Sequence, residues 1–430
     1  MPRSALAGAP VARQSFYAAR PQRVQNSPCE PHNDLAASEM SRSSPSILIA
    51  GAGIFGLTAA WELRLRGWTV TVLDPGPIPR PSAASTDVSK IVRADYGADD
   101  LYTDMGEAAL AGWDRWNTRW PVPLFHQDGF VVLASEPMAP GGFEYESFES
   151  LQQRGQPVER LPSIDRSLVA PAWSADVYPD GYFNRGAGWV ESGAVVSRVA
   201  DEARMAGVQI VENTSLSEVL PVSGRVTGVR TREGTIHTPD VVLIAAGAWT
   251  PKLLPELSDV MWTTGQPVVH VDAGSDRRWR APLFPVWAAD IARTGWYGFP
   301  ALPNGALKIG HHGIGRPVDP DDPRTMPAEH EQRVRDFLRA HLPALADAPI
   351  RESRLCLYCD TFDGDFWIDH DPDRPGLVVA AGDCGHGFKF APILGPLIAD
   401  VVERRPNPWA SRFRWRSRGP DRREAARAEI

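Results

Sequence analysis

The sequence predicts a mixed α/β (α+β) fold whose parallel sheet is gathered from distant parts of the chain. Three apolar runs that end in glycine carry this reading. The first, Ser46-Ile47-Leu48-Ile49-Ala50, has the unbroken apolar character of a strand buried on both faces. It passes directly into Gly51-Ala52-Gly53-Ile54-Phe55-Gly56 and then into a helix-forming stretch that stops at Gly67. A second strand, Thr69-Val70-Thr71-Val72-Leu73, follows and ends in Asp74. The unit is a complete strand–helix–strand phosphate-binding element. Gly51 permits the tight turn, Gly53 lets backbone approach a pyrophosphate, and Gly56 lets the helix pack closely on its strand. The helix start at Ile54 and Phe55 offers free N–H groups to phosphates, and Asp74 is placed to accept hydrogen bonds from an adenosine ribose.

The other two runs extend the same sheet. Residues 241–246 lead into Gly247-Ala248-Trp249, and residues 377–381 lead into Gly382-Asp383-Cys384-Gly385-His386-Gly387-Phe388-Lys389. A helix over 393–402 follows despite Pro396. Further helices are predicted over 193–206 and 329–341, a strand over 208–211, and a loop in the acidic, proline-rich stretch 316–327.

Composition narrows the partners. The chain has 430 residues, 45 basic and 53 acidic, for a net charge of −8. That balance argues against nucleic acid or an anionic membrane, both of which need a basic surface. No apolar run reaches the roughly 18 residues of a spanning helix. Four cysteines cannot build a dense disulfide framework, so a reducing, intracellular compartment is expected: cytoplasmic, peroxisomal or mitochondrial matrix. Fifteen tryptophans read as core and pocket walls. Residues 1–43 are arginine-bearing and poor in acid, and read as a disordered extension, a targeting segment or an artefact of start-site choice.

With these motifs in hand, residues 46–405 resemble the D-amino-acid-oxidase-type flavoproteins. More narrowly they resemble the branch that holds monomeric sarcosine oxidase, L-pipecolate oxidases and fructosyl-amine oxidases. Besides GAGIFG with Asp74, the carriers are residues 85–97 (STDVSKIVRADYG), 246–249, 297–300 (YGFP), 307–312 (LKIGHH), Cys356-Leu357-Tyr358 and Gly385-His386-Gly387-Phe388-Lys389. The resemblance implies a discontinuous Rossmann-type FAD domain over 44–121, 187–262 and 354–412. A mostly antiparallel-sheet substrate domain would cover 122–186 and 263–353, with a loosely held tail after it from 413 to 430.

It also implies site residues. FAD would be held by Gly51, Gly53, Ile54, Phe55, Gly56, Asp74, Ser89, Lys90, Val219, Gly247, Trp249, Cys356, Gly385, His386, Gly387, Phe388 and Lys389. Members of the branch use a cysteine in the Cys-apolar-Tyr context to form a thioether to the flavin, which points to covalent FAD through Cys356. Cys356 and Cys359 could instead be a redox or metal pair. Residues three apart on a strand face opposite ways, however, and no second Cys/His pair completes a zinc site, so no metal is expected. Lys308 matches a lysine that assists oxygen reduction; without the resemblance it reads as an exposed strand residue. Arg93 and Lys389 match the substrate-carboxylate pair, with a surface salt bridge to Asp95 or Asp99 as the other reading of Arg93. Tyr297 and His312 match pocket positions, and His311 reads as structural.

The expected activity is FAD-dependent oxidation of a carboxylate-bearing secondary amine by molecular oxygen, giving an imine and hydrogen peroxide. N-methyl amino acids, cyclic imino acids such as pipecolate and fructosyl amino acids are the candidate substrates of a monomeric enzyme. Alternatives are a dehydrogenase using a non-oxygen acceptor and a catalytically silent flavin-binding subunit.

Overall fold

The computed structural model describes residues 44–428, so the readings placed on residues 1–43 fall outside it. The three glycine-ended runs do lie side by side. A six-stranded sheet runs in the order Trp367–His370, Leu377–Ala381, Val241–Ile244, Ser46–Ala50, Thr69–Leu73, Gln209–Val211. Every neighbouring pair is parallel except the first. Leu377–Ala381, Val241–Ile244 and Ser46–Ala50 are adjacent and parallel, so the carboxyl ends of these three strands, with their glycine turns, open on one edge. Such an edge is where ligands bind in open α/β sheets.

Two helices cover the central strands. Ile54–Leu65 and Ala391–Val402 press together so closely that a Cβ on Gly395 would lie 2.6 Å from the Thr58 carbonyl. The other close approach is Gly56, where a Cβ would stand 2.0 Å from the Gly51 carbonyl oxygen. Gly51 itself has φ +109°, a conformation open to glycine, and a Cβ there would strike the Ala245 carbonyl. The helices Ser192–Met205 and Ala328–His341 and the strand Gln209–Val211 fall within a residue or so of expectation.

A second sheet has nine strands among the described residues and is mostly antiparallel. Its spine is the pair Met261–Asp272 and Ile350–Thr361, in register with Gln266 opposite Cys356. Ala306–His311 adds to the first of these, with Lys308 opposite His270. Trp296–Gly298 follows, with Tyr297 opposite Gly310. The expected domain boundaries at 262/263 and 353/354 therefore cut through two strands that belong to this sheet over their whole length. A small third sheet joins Lys90–Val92, Gly188–Val190 and Phe125–His126. None of the fifteen tryptophans is exposed, and Trp113, Trp287 and Trp367 are wholly buried. Among the described residues no helix is long and apolar enough to cross a membrane.

The chain after residue 413 departs from expectation. It does not lie loosely on the surface. Arg416 pairs with Asp363 at 2.6 Å and stacks over Trp367, Arg427 pairs with Asp360 at 2.5 Å, and Ala426 and Ala428 are fully buried. The cause is electrostatic. Asp360, Asp363 and Asp365 cluster where Ile350–Thr361 ends, and buried carboxylates require counter-charges. Arg412, Arg416, Arg422 and Arg427 supply them.

Gly56→Ala should destabilise the protein by at least about 1–3 kcal/mol, because the added methyl meets backbone that cannot give way. Thermal unfolding that matches the unchanged protein within a degree would contradict the packing described.

Candidate active site

The turn at Gly51 opens onto a cavity of about 220 Å³. Gly51, Gly53, Ile54, Phe55, Asp74, Lys90, Gly247, Trp249, Cys356, Gly385 and Phe388 all line it. A Cβ at Gly53 would find only the Ser85 hydroxyl, at 3.4 Å, so the open space lies directly against backbone. Asp74 accepts hydrogen bonds from the N–H groups of Ala52 at 2.8 Å and Gly76 at 3.0 Å. Burial nonetheless leaves its carboxyl above the ordinary range. At the cavity's far end the Trp249 indole donates to Asp321 at 2.7 Å and carries Arg80 on its face. Gly56 and Gly387 act behind the wall, the second by letting the Phe55 ring approach. Val219 packs against the apolar cluster beneath the sheet. The lining on that side comes instead from Thr214, Ser215 and Leu216.

A smaller cavity, about 70 Å³, adjoins the first. Lys90, Cys356, Tyr358, Gly385 and Phe388 line both. Cys356 thus faces the junction, while Cys359, three residues on, is buried in the apolar cluster on the strand's other face with its thiol pushed up by burial. Gly385 is required at the junction, since a Cβ there would lie 2.1 Å from the Tyr358 ring.

Lys308 lies in the smaller cavity and is 2% exposed. Its Nζ donates to Asp87 Oδ2 at 2.6 Å and to the Ser89 carbonyl at 2.7 Å. Burial lowers its pKa to about 8, a shift that Asp87 opposes. Burial alone would raise the Asp87 carboxyl, but Lys308, His270, Lys90 and Arg354 hold it well below the carboxylate range. The Ser89 side chain itself does not line either cavity; its backbone oxygen is what it contributes.

Arg93, Lys389, Tyr297, His312 and His386 complete the lining of the smaller cavity. Arg93 is not at the surface, and Asp95 and Asp99 bind other partners. Its Nη2 donates to Glu424 Oε1 at 2.8 Å, and Glu424 Oε2 lies 3.0 Å from His312 Nε2. Burial would raise Glu424, but its contact with His312 and the Arg93 guanidinium hold the carboxyl well below the usual range. Lys389 donates to the Tyr96 hydroxyl at 2.8 Å and to the His386 carbonyl. Burial, and then the repulsion of Arg93, depress its pKa strongly. His386 rests on Tyr96 at 3.0 Å, and burial lowers it to about 3, so the ring is neutral. His312 is likewise lowered by burial against the pull of Glu424. His311 faces away, packed on Trp296.

This arrangement, a cleft at the glycine turn joined to a cation-lined chamber, agrees with comparison to known proteins. Residues 46–401 match the family model described as FAD dependent oxidoreductase. The chain belongs to that family. It is 30% identical over 366 residues to N-methyl-L-tryptophan oxidase of Salmonella newport, covering 83% of this chain and 94% of that protein. It is 24% identical over 364 residues to monomeric sarcosine oxidase of a Bacillus species, covering 83% and 91%. Among solved structures it superposes on the fructosyl amine:oxygen oxidoreductase Amadoriase I of Aspergillus fumigatus with a TM-score of 0.73, 27% identity and 87% and 90% coverage.

The chain is therefore an FAD-dependent oxidoreductase, and the larger cavity fits the cofactor. It offers backbone free of side chains at Gly53, a buried acid at Asp74 and the start of a twelve-residue helix. Two residues escape a reading of the sequence. Asp87 stands in the 85–97 stretch that carries the resemblance but has no role assigned there, and Glu424 lies among arginines in an apparent surface tail. The one available signal is the surplus of arginine after 411 against the aspartates at 360, 363 and 365.

Asp87→Ala leaves Lys308 buried without its counter-charge. It should cost about 3–5 kcal/mol in denaturant unfolding below pH 8, where the lysine is charged, and less above. Unfolding unchanged at every pH would contradict this pairing.

Proposed function

We propose that this flavoprotein oxidises a secondary amine at the carbon beside its nitrogen, with oxygen as the acceptor and an imine and hydrogen peroxide as products. The observation that carries the reading is Lys308, a buried cation in the smaller cavity, beside the junction marked by Cys356. The relatives support it, being oxidases of sarcosine, N-methyl-L-tryptophan and fructosyl amines by name.

Bound FAD supplies the two-electron acceptor. The chain's own residues do the rest. Tyr297, Phe299 and Phe388 wall the chamber and exclude water. Lys90, Arg93 and Lys308 disfavour an additional cation, so the chamber selects the neutral, reactive amine over the ammonium form. The neutral imidazoles of His312 and His386 add no further charge. The amine loses two electrons and two protons, and oxygen takes up both. Protonated Lys308 stabilises the negative charge that develops on oxygen.

Cys356 is the attachment point in this reading. Its thiol would hold the flavin by a thioether, a two-electron oxidation for which molecular oxygen would be the acceptor. The reacting unit is common to N-methyl amino acids, cyclic imino acids and fructosyl amino acids.

Purified protein should release one peroxide per amine oxidised, in a panel of these amines offered as free acids and as amides. No peroxide from any of them would end the oxidase reading. Since Lys308 loses its proton near pH 8, reoxidation of reduced flavin by oxygen should slow as pH rises through about 8. Lys308→Met should slow that step roughly a hundredfold or more and abolish this pH dependence. Reoxidation within threefold of the unchanged protein, followed by rapid mixing, would instead favour a dehydrogenase with another acceptor.

A further inference from the structure

Glu424 stands where a substrate anion would be expected. Its side chain is 5% exposed, one oxygen bonds Arg93 and the other lies against His312. The segment that carries it is built in on both sides. The Arg422 N–H donates to the Phe362 carbonyl at 2.7 Å, and the Ala428 N–H to the His312 carbonyl at 3.0 Å. Arg427 grips both oxygens of Asp360 and the Gly313 carbonyl. A stretch tied by a buried bidentate pair is a wall of the chamber and not a plug resting in it.

The Arg93 fork is only half used. Its Nη1 is buried and has no hydrogen-bond partner among the described residues. Lys389 is already held by Tyr96 and the His386 carbonyl. A free carboxylate brought in by a substrate would share one guanidinium with Glu424, and two carboxylates side by side in a water-poor chamber repel strongly. A neutral carbonyl oxygen brings no second negative charge and asks for a single donor.

We propose that Glu424 is a specificity-determining residue. It fills the carboxylate half of Arg93 from within the chain, so that the amine oxidised here presents a neutral carbonyl, an amide or ester, at that position. The assignment rests on the reading of the smaller cavity as the amine site.

Ligand binding tests it without turnover. The FAD-loaded protein is titrated with propionate and with propionamide, following the flavin spectrum, and the same is done for Glu424→Gln. Propionamide should bind the unchanged protein at least as tightly as propionate. Glu424→Gln should move the ratio toward propionate by tenfold or more, because Arg93 is then freed for an anion. A preference of the unchanged protein for propionate, or a smaller shift in the variant, overturns the proposal. If the variant does not retain FAD, the unchanged protein's preference decides alone. Absence of peroxide from every amine, with the ligand preference as expected, would sink the oxidase reading and leave the role of Glu424 standing.

Discussion

Asp87 is the interaction on which the site depends. Its side chain is almost wholly buried, and four basic groups converge on it: Lys308 at 2.6 Å, Arg354 at 3.2 Å, His270 at 3.7 Å and Lys90 at 3.8 Å. Lys308, Arg354 and His270 come from three adjacent strands of the nine-stranded sheet. Asp87 itself belongs to the stretch that leaves the dinucleotide-binding half. One carboxylate thus fastens the stretch carrying Lys90 and Arg93 to the sheet carrying Lys308 and Cys356. Burying a lone lysine costs several kcal/mol; paired with Asp87, Lys308 can be kept in the wall of the smaller cavity.

The same logic governs the end of the chain. Three aspartates gathered at residues 360–365 draw in an arginine-rich segment, and that segment delivers Glu424 to Arg93. Charge pairing, more than apolar burial, therefore sets the shape of the substrate chamber. Its walls are aromatic, but which groups are free to meet a ligand is decided by which charges are already matched.

Much of the fold was legible in the sequence because it is local. The GAGIFG turn, the apolar strand before it and the glycine stops each follow from the backbone needs of a few neighbouring residues. The helices at 192–205 and 328–341 follow from periodicity over three or four turns. The phosphate-binding turn and Asp74 were legible in the same way, but the residues of the smaller cavity were legible only through resemblance. Nothing around Lys308 or Arg93 distinguishes a buried cation from an exposed one, since the groups that enclose and pair them, Asp87 and Glu424, are far away in the chain. Val219 shows the limit, for the cavity wall is made by the residues just before its strand and at its start, 214–216. Asp87 and Glu424 could not be weighed because their partners are 221 and 331 residues distant.

Cys356 lies at the junction of the two cavities, and the proposed attachment of flavin there is the claim most open to test. The direct test is to digest the acid-denatured protein and locate FAD by mass. The account predicts flavin on the peptide that contains Cys356, and none on peptides bearing Cys359 or Cys384. An unmodified Cys356 peptide, with all flavin released to the supernatant, would contradict it.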